Sequence, residues 1–187
     1  MKKISIALVA LAFIICCNSS KNVSEPIVNS VNTKIIESVF FIDSVTVKKH
    51  LYTLASDDME GRKAGTAGIE KAAKYIENEF KRIGLTTFES LETYRQTFNF
   101  KPRSSKEEIT SANIIGVLEG KSKKDEYVIV SAHYDHLGVK GKGEDTIYNG
   151  ANDDASGVTG VLALAEYFKK VGNERTIVFV AFTAEEM

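Results

Sequence analysis

The apolar positions of this chain change their period part-way along the sequence. Up to about residue 85 they recur at helical spacing, and Gly84 then provides a typical helix stop signal. A shorter helix is predicted after Ser44, which can cap it, with an apolar face of Val47, Leu51 and Leu54. The clearest helical run consists of Ile69, Ala72, Ala73, Ile76, Phe80 and Ile83.

After about residue 110 the apolar residues form short continuous runs instead. Residues 113–118, 127–132 and 176–182 predict three strands, and the β-branched run at 127–132 is typical of a buried central strand. Between the last two runs, residues 158–168 return to helical spacing. Strand, loop, helix and strand in this order form a βαβ unit, which predicts a parallel pairing in a sheet covered on both faces.

Three short polar clusters fall where these predicted strands give way to a loop or a helix. They are His133-Tyr134-Asp135, residues 150–157 and Ala184-Glu185-Glu186. Ligand sites in such sheets lie beyond the carboxyl ends of the strands, so we expect the clusters to meet at one edge. Together they supply imidazole and several carboxylates, which are ligands that divalent metals prefer.

Each cluster taken singly also has an ordinary structural explanation. His133 and Asp135 face the same side if they leave a strand, so that one can bind metal while the other orients it, but strand ends are often polar. A carboxylate of Asp153 or Asp154 could bridge two metals, and an Asp in this region could equally cap the following helix. The pair at 185–186 could divide into a ligand and a general base, or could be a solvated acidic pair.

Composition and missing motifs exclude several other classes of function. The formal net charge of -1 gives no indication of nucleic acid or an anionic membrane surface as a partner. The sequence contains no His-Glu-X-X-His motif and no Gly-X-Ser-X-Gly elbow. Both cysteines lie at positions 16 and 17, so the rest of the chain offers no Cys nucleophile.

The N-terminus has the pattern of an export signal. Two lysines precede a short apolar stretch, residues 4–15, which is followed by Cys16 and Cys17. We predict a signal peptide of the lipoprotein type over residues 1–17, with Cys17 as the lipidated residue. Lipidation of Cys16 and an ordinary cleaved secretory signal are the alternatives. Residues 18–33 are polar and predict a tether, so the protein is expected to be exported to the periplasm or cell surface and lipid-anchored to a bacterial membrane.

Four segments of this chain resemble the di-zinc exopeptidases of family M28, which include bacterial leucyl-type aminopeptidases, glutamate carboxypeptidase II, the transferrin receptor ectodomain and glutaminyl cyclases. The resemblance implies an α/β fold, a three-layer α/β/α sandwich with a mixed, largely parallel sheet, and makes residues 34–187 the N-terminal part of a zinc peptidase domain. The segments that carry it are residues 54–62, 131–138, 149–157 and 181–186.

The resemblance also implies two zinc ions and a role for each matching residue. His133 would bind one zinc, Glu186 the other, and Asp153 both. Glu185 would be the general base that activates the attacking water, and Asp135 would orient His133. The implied substrate is a peptide, and we expect an aminopeptidase. A carboxypeptidase, a glutaminyl cyclase and a non-catalytic receptor-like protein are the alternatives.

Three further residues are given structural roles at this point. His136 is expected to be a hydrogen-bonded structural residue, and His50 to be exposed on a helix. Arg62 is expected to anchor a loop or lie at the surface, with a place near the site as the alternative. The family pattern requires a further Asp and a further His after Glu186, and in residues 1–187 only Met187 follows Glu186. We therefore expect a truncated fold that is inactive as it stands.

Overall fold

The structure, a computed structural model, describes residues 42–89, 91–102, 106–140 and 142–187. The predicted signal peptide, its Cys17 and the predicted tether lie outside these residues. Within them, no helix is both long enough and apolar enough to cross a membrane.

The described residues begin with two helices and continue with strands and one further helix, much as the hydrophobic pattern predicts. The helices are α1 (Ser44–Leu54), α2 (Ala67–Ile83) and α3 (Ser156–Val171). A 3₁₀ turn over Asp57–Arg62 precedes α2, and a π-type turn over Ala151–Ala155 precedes α3. The strands are β1 (Arg95–Phe100), β2 (Ile109–Leu118), β3 (Lys123–His133), β4 (Gly138–Val139), β5 (Ile147–Tyr148) and β6 (Arg175–Phe182).

The helix ends show how local chemistry sets these bounds. Gly84 adopts a left-handed conformation with φ 81°, and its N–H donates to the carbonyls of Phe80 and Lys81. This confirms the predicted stop after residue 83. The cap of α1 is Asp43 rather than the predicted Ser44. Its carboxylate accepts from the N–H groups of Val45 and Thr46, so the helix begins at Ser44, one residue earlier than a Ser44 cap would place it.

The main sheet is mixed, as the family resemblance implies. Its strand order is β1-β2-β6-β3. β3 and β6 are parallel, which confirms the predicted βαβ unit, whereas β2 runs antiparallel to both β1 and β6. Parallel pairing is therefore limited to one of the three pairings described, and the sheet of these residues is not largely parallel. The short connection from β1 to β2 can join only antiparallel neighbours.

All three helices pack on one face of this sheet. Along β6, Ile177, Phe179 and Ala181 face the helices and join the main core, while Val178 and Val180 face the other way. On that second face the described residues form only a small cluster around Ile115, which packs against Phe88, Leu91 and Val117. The α/β class is confirmed, and these residues contribute two of the three layers expected.

The prediction that β3 is a buried central strand is wrong for the described residues. β3 lies at an edge of the sheet, and Tyr127, Val128 and Ile129 are 58%, 42% and 66% exposed. An apolar run shows that a strand can be buried on both faces, but it does not specify how many neighbours the strand has. Among the described residues, β3 pairs with β6 alone.

The prediction that His50 is exposed is also wrong. His50 is 1% exposed, and its Nδ1 lies 2.7 Å from the hydroxyl of Tyr75 on α2. The Nε2 atom is buried without a hydrogen-bond partner among the described residues. Burial lowers the pKa of His50. The charges that act on it are Glu79 and Glu166, which favour protonation, and Lys49 and Arg82, which oppose it.

The buried imidazole should make the stability of this helix pair depend on pH. Because the pKa of His50 is lower in the folded state than the unfolded value of about 6.5, the unfolded chain binds the extra proton first. The contribution of neutral His50 to the free energy of unfolding is therefore expected to be fully present above about pH 6.5. It should be lost as the pH falls through the folded pKa. Urea unfolding between about pH 5 and pH 8 measures this dependence.

The control for this dependence is the His50→Gln variant. Its free energy of unfolding should change less with pH than that of the unsubstituted chain, because the buried titrating group is gone while His133 and His136 remain. Equal pH dependence of the two proteins would contradict the prediction.

Candidate metal centre

The parallel pairing of β3 and β6 brings the first and third polar clusters together. His133 at the end of β3 lies in register with Phe182 at the end of β6, and the N–H of Tyr134 donates to the carbonyl of Phe182 over 2.8 Å. The residues that follow each strand are therefore neighbours in space. This confirms the expectation that the clusters meet at the carboxyl edge of the sheet.

Asp135 fixes this junction with its side chain. It is fully buried, and its two carboxylate oxygens accept from the backbone N–H groups of Glu185 and Glu186, each over 3.2 Å. Burial raises the pKa of Asp135, and the two backbone N–H groups partly offset this because they favour the ionised form. The carboxylate thus holds the turn after β6 against the end of β3.

His133 is oriented by the backbone of Asp135 rather than by its carboxylate. The Nδ1 atom lies 3.1 Å from the Asp135 carbonyl oxygen and 3.8 Å from its Oδ1. A carbonyl oxygen only accepts, so Nδ1 carries the proton of this hydrogen bond. That tautomer directs Nε2 outward as the atom able to bind a metal. Nε2 lies 3.0 Å from Oδ1 of Asp153.

The two carboxylates of the second cluster, Asp153 and Asp154, make different contacts. Oδ1 of Asp154 accepts from the N–H of Gly157 over 2.8 Å and so serves the first turn of α3. Asp153 lies in the turn before the helix, and its side chain is 60% exposed at the site. The helix-capping explanation therefore applies to Asp154, while Asp153 is left to face His133.

Glu185 and Glu186 are separated by a turn and not by strand alternation. β6 ends at Phe182, and the chain then bends at Ala184, which has a left-handed φ of 66°. The Glu186 carboxylate accepts from Nδ1 of His136 over 2.8 Å and is 20% exposed, whereas Glu185 is exposed. The two carboxylates thus occupy different surroundings, as the ligand-and-base division requires.

His136 is hydrogen-bonded, as expected, but it also belongs to the cluster of possible ligands. One ligand atom from each of His136, Asp153 and Glu186 lies within 4.8 Å of the others. Its backbone N–H donates to the carbonyl of Arg62 over 3.1 Å. Its ring lies beside the turn after β6, where Nδ1 meets the Glu186 carboxylate. The signal in the sequence was the second imidazole in His-Tyr-Asp-His, whose direction could not be told without the loop geometry.

The donor set fits a zinc site. Ligands of a tetrahedral zinc at ~2.0–2.1 Å stand about 3.3 Å from each other, close to the 3.0 Å separation of His133 Nε2 and Asp153 Oδ1. Asp153 also belongs to the group with His136 and Glu186. Its carboxylate therefore lies near the imidazoles of both His133 and His136. Nitrogen and oxygen donors in this combination suit zinc better than calcium or magnesium.

Residues 113–187 match the family model described as Peptidase family M28. The matched stretch contains every residue of the cluster described above. Over these residues the chain is therefore similar to peptidase family M28. Its α/β fold accords with this match, since the solved structures that it resembles include a zinc-dependent exopeptidase from Parabacteroides distasonis. That structure is 21% identical with a TM-score of 0.58, and the match covers 74% of this chain and 46% of that one.

Two further proteins that this chain resembles have different named activities. Aminopeptidase YwaD of Bacillus subtilis is 39% identical over 79 residues, which are 42% of this chain and 16% of that protein. The crystal structure of Fimbriiglobus ruber glutaminyl cyclase is 25% identical with a TM-score of 0.62, covering 75% of this chain and 45% of that one. This chain thus spans less than half the length of each of these proteins.

Proposed function

We propose that this chain forms part of a zinc-dependent exopeptidase, an aminopeptidase that removes N-terminal residues from peptides with two zinc ions. The observation that carries the proposal is the position of Asp153. Its carboxylate lies 3.0 Å from Nε2 of His133 and within the same ligand group as His136 and Glu186. A carboxylate so placed can bridge two cations, which is an arrangement that aminopeptidases use.

Zinc bound here would supply Lewis-acid polarisation of the scissile carbonyl and would make water acidic enough to ionise near neutral pH. The chain's own residues prepare for this chemistry. The Asp135 carbonyl sets the tautomer of His133, so that Nε2 is the free ring nitrogen. The Asp135 carboxylate holds the backbone of Glu185 and Glu186, which fixes where both side chains leave the turn.

Glu185 is proposed as the general base of this reaction. Glu185 is exposed and directly precedes Glu186 in the turn after β6, and its backbone N–H is fixed by Asp135. A carboxylate in that position can take a proton from the attacking water and pass it to the leaving amine. Glu186, which is less exposed and paired with His136, is proposed as the zinc ligand.

A glutaminyl cyclase is the second candidate. It is favoured by the likeness to the Fimbriiglobus ruber enzyme, with which the chain shares 25% of its residues over 75% of its length. The two activities differ in what attacks the substrate carbonyl, a water in the peptidase and the substrate's own amine in the cyclase. The aminopeptidase is preferred because the similarity to YwaD is higher, at 39%, although over a shorter stretch.

Export and lipid anchoring through Cys17 form part of the same proposal. Their support is the pattern of two lysines, an apolar stretch and two cysteines at the N-terminus. An exported peptidase would meet peptide substrates outside the cytoplasm.

A substrate panel on a longer chain that contains this segment tests the proposed activity. An aminoacyl anilide should be hydrolysed, and its N-acetylated form should resist, because an aminopeptidase needs the free amine. Chelation with 1,10-phenanthroline should abolish hydrolysis, and zinc should restore it. Ammonia release from an N-terminal glutaminyl peptide, with no anilide cleavage, would favour the cyclase. Inertness towards every substrate would favour a non-catalytic protein.

A further inference from the structure

Arg62 is a fully buried cation that binds backbone carbonyls and no carboxylate. Its guanidinium makes four hydrogen bonds, and none of the acidic side chains in the described residues is within ion-pair distance of it. Uncompensated burial of a charge is costly, so such a residue persists only where its donors are well used. The acceptors are the carbonyls of Tyr134 (2.8 Å), Leu54 (2.6 Å), Asn149 (2.6 Å) and Gly150 (2.9 Å).

A strained turn directs this side chain into the protein. Glu60, Gly61 and Arg62 all have left-handed φ angles, of 50°, 61° and 49°. Only glycine fits at the middle position, because a Cβ there would lie 2.5 Å from the carbonyl oxygen of Gly138 and 2.6 Å from that of Tyr148. The two non-glycine residues that flank it, Glu60 and Arg62, cost free energy in this conformation, and such strain is characteristic of functional sites.

The carbonyls that Arg62 binds belong to the two segments that supply the candidate zinc ligands. Tyr134 lies between His133 and Asp135, at the end of β3. Asn149 and Gly150 lie just before Asp153, on the loop that leads into α3. The two segments are linked through this one side chain, and a Cβ on Gly150 would lie 2.7 Å from its Nη2 atom.

The charge of Arg62 also acts on the carboxylates of the site. Burial lowers the pKa of Arg62 to about 10, and Asp135, Asp154 and Asp153 act in the opposite direction. The guanidinium therefore remains protonated at neutral pH. Its positive field offsets part of the repulsion among these carboxylates.

We propose that Arg62 is a positioning residue for the zinc site, which holds the His133 segment and the Asp153 segment at the separation that zinc requires. The inference rests on the proposed function, since it takes these residues as zinc ligands. It assigns Arg62 no contact with substrate or metal. The planar fork of a guanidinium can donate to carbonyls on both segments at once, whereas a lysine has one compact point of charge.

The test compares Arg62→Lys and Arg62→Gln with the unsubstituted chain. Arg95→Lys is the matched control, because Arg95 makes surface ion pairs with Glu70 and Glu77 away from the site. Hydrogen exchange is followed at the amides of Ala155 and His136, which donate to the carbonyls of Gly150 and Arg62. Zinc affinity is measured by calorimetry, and Co²⁺ absorption reports the ligand geometry.

The expected result is faster exchange at Ala155, a changed Co²⁺ spectrum, and zinc affinity lowered by about 10- to 100-fold in the Arg62 variants, as for other residues that orient ligands. Arg95→Lys should leave all three unchanged. Unchanged exchange and affinity in a folded Arg62 variant would overturn the proposal. So would failure of both variants to fold while Arg95→Lys folds, since Arg62 would then be required for folding rather than for positioning.

The proposed function can fail separately. If the unsubstituted chain binds neither Zn²⁺ nor Co²⁺, the zinc site is refuted, and with it the zinc-related part of the role of Arg62. Hydrogen exchange at Ala155 would still decide whether Arg62 holds the two segments together.

Discussion

Replacing Asp153 with Ala is expected to abolish measurable zinc binding at this site. Its carboxylate lies 3.0 Å from Nε2 of His133 and also joins the ligand group of His136 and Glu186. Loss of a residue that merely orients a ligand lowers metal affinity by about 10- to 100-fold. Loss of a carboxylate shared by two metals should exceed the upper end of that range. Calorimetric titration with Zn²⁺ measures the effect.

Thermal unfolding gives a second measurement of the same loss. A ligand at a hundred times its Kd stabilises a folded protein by about 2.7 kcal/mol. Zinc should therefore raise the Tm of the unsubstituted chain and leave that of Asp153→Ala unchanged. Asp154→Asn is the matched control, because its amide oxygen can still accept from Gly157, and it should bind zinc normally. Normal zinc binding by Asp153→Ala would refute the bridging role.

Replacing Glu185 with Gln in an active longer chain is expected to retain zinc and lose most turnover. The substitution keeps the shape of the side chain and the backbone N–H that Asp135 binds, but it removes the basic oxygen. General base catalysis contributes about 10²- to 10⁴-fold to rate, so kcat should fall by that factor. Hydrolysis of an aminoacyl anilide and zinc content by mass spectrometry measure the two quantities together.

The neighbouring residue supplies the control for this prediction. Glu186→Gln should lose zinc affinity as well as activity, because Glu186 is the proposed ligand and pairs with His136 over 2.8 Å. The two variants would then separate the base from the ligand. Unchanged turnover in Glu185→Gln would exclude Glu185 as the base, and loss of zinc in that variant would exchange the two assignments.

Much of the secondary structure could be predicted because it depends on local sequence. The end of α2 follows from Gly84, whose left-handed conformation is inexpensive for glycine alone. The parallel pairing of β3 with β6 follows from the α3 crossover between them. Since both strands then end at one edge of the sheet, the meeting of His133 with the Glu185–Glu186 turn was predictable as well.

The errors concern burial and contacts between distant segments. The apolar run in β3 predicts burial, yet the strand lies at an edge with Ile129 66% exposed. His50 looks like an exposed helix residue, but it is buried against Tyr75, which is 25 residues away. Whether a residue is covered depends on which elements pack over it, and local periodicity contains no such information.

By itself the sequence determined the class of this protein. The ligand types, their order along the chain and their places at strand ends indicated a metal site, and the resemblance of four segments indicated the M28 family. Both depend on residue types and their order along the chain, which are present before folding. The tertiary structure decided which contacts each of these residues makes. In this structure the Asp135 carboxylate binds the backbone of the last turn, and Arg62 forms a buried junction between the segments that contain His133 and Asp153. The physical reason is that hydrogen bonds between segments tens of residues apart depend on distances and directions that exist only after the sheet and helices have packed.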